Sequence, residues 1–128
     1  MDEQTSKGPK VTFERRSDFR AEYANNTRYE STVYDLTVVF GQSDLGSGHE
    51  VIKQHTAITV PWAAVKLAKY YLEVNLLFHE SANGKVQIPP SQIPDPLPVP
   101  NDEISQNPSL MSAYESIKRL REEFIASL

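Results

Sequence analysis

Residues 34–40, YDLTVVF, alternate large apolar side chains with smaller or polar ones, which places Tyr34, Leu36, Val38 and Phe40 on one face of a strand. Asp35, Thr37 and Val39 fall on the other face. The same period of two runs through Phe19, Ala21 and Tyr23, set against Arg20 and Glu22, and predicts an earlier strand. Asn25-Asn26-Thr27 interrupts the pattern between them. A turn between two short strands and a bulge within one long strand both account for the break. Tyr29 and the β-branched Thr27 and Thr32 favour pairing through the region, so the bulge or a very short kink is the preferred reading.

Residues 41–50, GQSDLGSGHE, carry Gly41, Gly46 and Gly48 and predict a hairpin loop longer than the tightest types. A third strand follows as Val51–Val60, with Ile52, Ile58 and Val60 facing inward and Lys53, His55 and Thr59 outward. Pro61 fits the first turn of a helix, Thr59 is placed to cap it, and Asn83-Gly84 supplies a left-handed stop, so the helix is expected over about Pro61 to Ala82.

At ~100° per residue, Lys66, Lys69, Glu73 and Glu80 form one narrow polar stripe on that helix. Ala64, Val65, Leu67, Ala68, Tyr71, Leu72, Val74, Leu76 and Phe78 cover an arc of roughly 200°, about twice what packing on a single sheet uses. The surplus needs a second cover, either another copy of the chain or the C-terminal part of the same chain. Tyr71, Val74, Asn75, Phe78 and His79 are the candidate oligomer-interface residues. Asn75 and His79 lie inside the apolar arc, where a hydrogen-bonded pair or a register-setting contact explains them more simply than catalysis.

Residues 88–100, IPPSQIPDPLPVP, predict an extended spacer that cannot join a central sheet. Their prolines lack P-x-x-P spacing, so no SH3-type docking motif is present. Asn107 as cap and Pro108 as first residue open a last helix, with Leu110, Tyr114, Ile117, Leu120, Phe124 and Leu128 along one stripe. Glu115 with Arg119 and Lys118 with Glu122 are the i,i+4 pairs of its solvated face. Ahead of the first strand, residues 1–16 offer only Val11 and Phe13 as sizeable apolar groups after Met1, which predicts a mobile arm. The organisation expected is therefore an arm over 1–17, an α+β domain over 18–88, a Pro-rich strap over 89–106 and a helix over 107–128. The fold class is α+β: an antiparallel meander of three or four strands, a long helix packed on one face, then the strap and a C-terminal amphipathic helix.

Composition narrows the chemistry. The chain has 128 residues, a net charge of −4 and no cysteine, which excludes a disulfide framework, a thiolate nucleophile and a sulfur-ligated metal. No signal-like or membrane-spanning run is present, and a soluble cytoplasmic protein is expected. His49, His55 and His79 lack metal-ligand spacing among themselves, and Asp18, Asp35, Asp44, Glu50 and Glu80 do not supply it. No serine stands in a G-x-S-x-G elbow, and the glycines do not form a phosphate-binding fingerprint. Asp102-Glu103 reads as a solvated face. No catalytic, metal or cofactor site is expected. Arg15, Arg16, Arg20 and Arg28, with Tyr23 and Tyr29, are the one basic and aromatic mixture suited to single-stranded nucleic acid. Glu14, Asp18, Glu22 and Glu30 dilute it, and the acidic balance disfavours nucleic acid as the main partner.

The ordered set Tyr23-Ala24-Asn25, Phe40-Gly41, Pro61, Lys66-Leu67 and Gly84 resembles a bacterial family classed as a domain of unknown function, number 3467, over about residues 19–88. The chain departs from that pattern at the helix end, where it has FHESANG in place of an acidic pair, and in the strap and last helix. The resemblance implies the α+β fold and an oligomer, and brings no activity with it. The function expected is that of a small, non-enzymatic, homo-oligomeric binding or adaptor protein. The alternatives are a nucleic-acid-associated accessory protein and a chaperone-like holdase, since the export chaperone SecB shares the order of strands then helix.

Overall fold

The computed structural model describes residues 8–44 and 50–128. It shows an α+β chain: strands β1 (Asn26–Ser31), β2 (Asp35–Asp44) and β3 (Val51–Pro61), the long helix α1 (Trp62–Asn83), a 3-10 turn at Pro90–Gln92, the short α2 (Asp102–Ser105) and α3 (Pro108–Ala126). Two compact units divide it, Met1–Lys66 and Leu67–Leu128.

In the first unit the three strands form one antiparallel sheet in the order β1-β2-β3. Tyr29 pairs with Val38, Val38 with Ile58, and Leu36 with Val60, so these side chains and Phe40 share one face. On the opposite face Thr37 and Thr59 face each other with their hydroxyls 2.7 Å apart. Thr59 is therefore occupied within the sheet and does not cap α1 as expected. The β1–β2 connection is built by one side chain: Thr32 Oγ1 accepts from the backbone N–H groups of Tyr34 and Asp35, both at 3.1 Å, and donates to Asp35 Oδ1 at 2.9 Å. Tyr34 thus stands in the turn, 84% exposed, and the strand that the alternation began at Tyr34 starts one residue later.

Phe19, Ala21 and Tyr23, expected in the first strand, precede it, and β1 opens at Asn26 within the Asn-Asn-Thr segment. The bulge lies across the sheet. Phe40 pairs with Thr56 and Gly41 with Gln54, which leaves His55 as the extra residue of β3. One extra residue shifts the alternation by one, so Ile52 pairs with Ser43 and lands on the face opposite Ile58 and Val60. Gly41 is the one buried position among the described residues. A β-carbon there would meet Lys53 O at 2.9 Å and Ile52 Cγ2 at 3.1 Å, so the bulged strand closes on a space that only glycine leaves open.

Trp62 opens α1 and donates its indole N–H to Thr32 O at 3.1 Å, fixing the start of the helix to the hairpin turn. The helix stops at Gly84, whose φ of 87° is the left-handed geometry a side chain resists, while Gly84 N–H bonds Glu80 O. Glu80 also accepts from Val86 N–H at 2.9 Å. Among the described residues no helix is long and apolar enough to cross a membrane.

In the second unit Asn107 caps α3 by accepting from Ser109 N–H and Leu110 N–H, with Pro108 in the first turn. Asn101 does the same for α2, a single turn that follows the segment expected to be extended, and the 3-10 turn Pro90–Gln92 interrupts that segment. The Pro-rich segment runs antiparallel to α3. Arg121 donates from Nε and Nη2 to Pro94 O at 3.0 and 2.7 Å, and Tyr114 donates its hydroxyl to Pro98 O at 2.8 Å. The spacings agree, because four extended residues reach about 12 Å and seven helical residues about 10.5 Å.

Gly41→Ala is expected to destabilise the chain by about 1–3 kcal/mol in denaturant unfolding, since the clashing atom is backbone and cannot swing away. Arg121→Ala is expected to raise the nanosecond mobility of residues 93–98, read as lower NMR order parameters, and to leave the middle of α3 unchanged.

Candidate functional site

No hydrophobic side chain is buried among the described residues. The most concentrated open apolar surface is on α1. Leu67, Tyr70, Tyr71, Leu77 and Phe78 are each 60–74% exposed, and Val74 is half-buried. At ~100° per residue these six fall within an arc of about 120°, repeating as 67-74, 70-77 and 71-78 at the heptad interval. Tyr70 and Tyr71 stack edge to face with ring centroids 5.2 Å apart, which stiffens the middle of the stripe.

Of the candidate interface residues, Tyr71, Val74 and Phe78 belong to this stripe. Asn75 and His79 lie beside it, and their side chains bond within the helix: Asn75 Nδ2 donates to Tyr71 O at 2.7 Å, and Asn83 Nδ2 lies 3.4 Å from His79 Nδ1. Tyr70 and Leu77 were missing from the apolar arc read from the sequence. The signal that finds them is the seven-residue repeat, which pairs each with a partner one heptad away. They widen the apolar arc of α1 to about 260°, leaving Lys66, Lys69, Glu73 and Glu80 as its polar wedge. Leu110, Ile117, Leu120 and Phe124 of α3 are themselves 37–60% exposed, so α3 does not close the surplus surface.

A second constellation gathers at the bulge. His55 Nε2 lies 2.9 Å from Tyr23 O, and because a carbonyl only accepts, this nitrogen carries the hydrogen and donates. His55 Nδ1 pairs with the Thr56 hydroxyl at 2.7 Å. Asn25 Oδ1 accepts from Ser43 N–H at 2.7 Å while Asn25 N–H donates to Gly41 O at 3.1 Å, so its side chain extends the ladder where the backbone leaves it. Asn26 Oδ1 is enclosed beside this corner without a hydrogen-bond partner. The Tyr23-Ala24-Asn25 and Phe40-Gly41 motifs meet here, and every role the contacts give them is architectural.

The arginines are spread out. Arg15 lies over the Phe19 ring at 4.5 Å, Arg16 is paired with Asp18 at 2.9 Å, Arg20 is exposed, and Arg28 stands on β1 opposite Val39. His49 lies outside the described residues. Among the described residues no three His, Asp or Glu side chains converge as a metal site. Elemental analysis of the dialysed protein is expected to find no stoichiometric zinc or iron, and about one ion per chain would contradict this. Comparison with protein-family models, curated proteins and solved structures returned no match, so the functional reading rests on the chemistry of this chain.

Proposed function

We propose that this chain is a non-enzymatic subunit of a homo-oligomer that serves as a binding or adaptor module, assembled through the apolar stripe of α1. The observation that carries the reading is the stripe itself: five large side chains, three of them aromatic, open to solvent on one face of a helix whose chain buries no hydrophobic side chain among the described residues. Exposed patches of this kind mark interaction surfaces. Membership of the family it resembles belongs to the same proposal, supported by the meeting of Tyr23-Ala24-Asn25 with Phe40-Gly41 at the His55 bulge. The nucleic-acid reading ranks below it, because Arg15 and Arg16 are engaged by Phe19 and Asp18. A holdase would use the same open surface, and suppression of a model substrate's aggregation would mark it.

The test is sedimentation velocity at micromolar concentration. A dimer or larger species is expected, and a monomer would sink the proposal. Burial of each large side chain at the contact contributes roughly 1.5–3 kcal/mol. Tyr71→Glu and Phe78→Glu are therefore each expected to weaken association by about ten- to a hundredfold or more, with the circular-dichroism spectrum retained.

A further inference from the structure

We propose that α1 pairs with α1 of a second copy in antiparallel orientation, about a two-fold axis passing close to Val74; this rests on the oligomer reading above. Val74 sits at the middle of the stripe both along the helix and around it. A two-fold there sets Tyr71 against Phe78 on one flank, Tyr70 against Leu77 on the other, and Leu67 against Ser81 of the other copy. Every large apolar side chain of the stripe but Leu67 then meets another. The three aromatic rings alone leave roughly 400 Å² open. That is about half of the ~800 Å² each partner contributes to a standard interface, before Leu67, Leu77 and the rims are counted.

Charge decides the orientation. The four charged residues of α1 are Lys66 and Lys69 towards its N-terminus and Glu73 and Glu80 towards its C-terminus. This order opposes the preference of a single helix, whose dipole favours acids at the start and bases at the end. An antiparallel neighbour reverses the arrangement, because it brings its acidic end to the first helix's basic end. Lys66, Glu73 and Glu80 repeat at seven residues along one flank of the stripe, and in an antiparallel pair like flanks lie together. Lys66 of one copy then comes within two residues, about 3 Å of axial offset, of Glu80 of the other. Glu80 spends one oxygen on Val86 N–H and keeps the other free for it. The ion pair among the described residues joins Arg16 to Asp18, so these charges have no ion-pair partner among the described residues. A parallel pair would instead set Lys66 against Tyr71 and Glu73 against Phe78, with no ionic contact. The antiparallel arrangement has one cost, as Glu73 meets its own copy near the axis.

The cysteine-free sequence makes disulfide trapping selective. Leu67→Cys and Ser81→Cys chains are to be mixed under mild oxidation, alongside each variant alone and Val74→Cys alone. The expected result is a heterodisulfide in the mixture, a homodisulfide for Val74→Cys, and none for Leu67→Cys or Ser81→Cys alone. A Leu67→Cys homodisulfide would show parallel pairing and overturn the proposal. An oligomer in sedimentation that yields none of these disulfides would overturn it while leaving the oligomer reading intact. A monomeric parent chain would overturn both. As an independent readout, Glu73→Gln is expected to tighten association about two- to fivefold by removing the one like-charge contact, and Lys66→Glu to weaken it by a similar factor. Looser association of the Glu73→Gln variant would also overturn the antiparallel arrangement.

Discussion

Backbone hydrogen bonding, rather than burial, holds each element of this chain in place. The ladder of β1, β2 and β3, the α1 stop at Gly84 and the clamp of Arg121 on Pro94 are all made with main-chain groups. Such bonds contribute only about 0.5–1.5 kcal/mol net apiece, and a domain ordinarily relies on removing apolar surface from water to offset the entropy of ordering. With no hydrophobic side chain buried among the described residues, that term is small within them, and the proposed pairing of α1 would add to it. The α1 stripe is where the sequence concentrates it.

The corner at Gly41 shows how the sheet is shaped without a core. His55 is inserted as an extra residue, Lys53 O closes to where a β-carbon of residue 41 would stand, and the ring of His55 reaches Tyr23 O. Asn25 then replaces a missing ladder acceptor with its own side chain. A bulge, a glycine and two polar side chains thus set the path by which the chain enters β1. Each depends on the others' positions, which explains the type of residue found at each place.

Elements with strong local punctuation were legible in the sequence. Period-two alternation located β2 and β3, Pro61 and Gly84 bracketed α1, and Asn107-Pro108 opened α3. The alternation at Phe19 to Tyr23 misled because period two is necessary for a strand and not sufficient; β1 pairs with β2 only from Asn26 onward. The position of the bulge was not readable, since an extra residue is defined by the partner strand and not by its own neighbours. Tyr70 and Leu77 stand beside the polar wedge of Lys66, Glu73 and Glu80, at the edge of the apolar arc, where periodicity alone assigns a side chain to neither face. Their importance emerged from their exposure rather than from their identity.

The strap's attachment has an evolutionary consequence. Arg121 and Tyr114 hold carbonyl oxygens of residues 94 and 98, a group that every amino acid carries. Side chains along residues 93–100 can therefore drift with little penalty so long as the chain stays extended, a condition the prolines favour by limiting φ. Length is under the opposite pressure. One inserted or deleted residue between positions 94 and 98 would move a carbonyl by about 3 Å, past the reach of its donor on α3. Among related chains, the strap should vary in composition while keeping its count between those two carbonyls fixed.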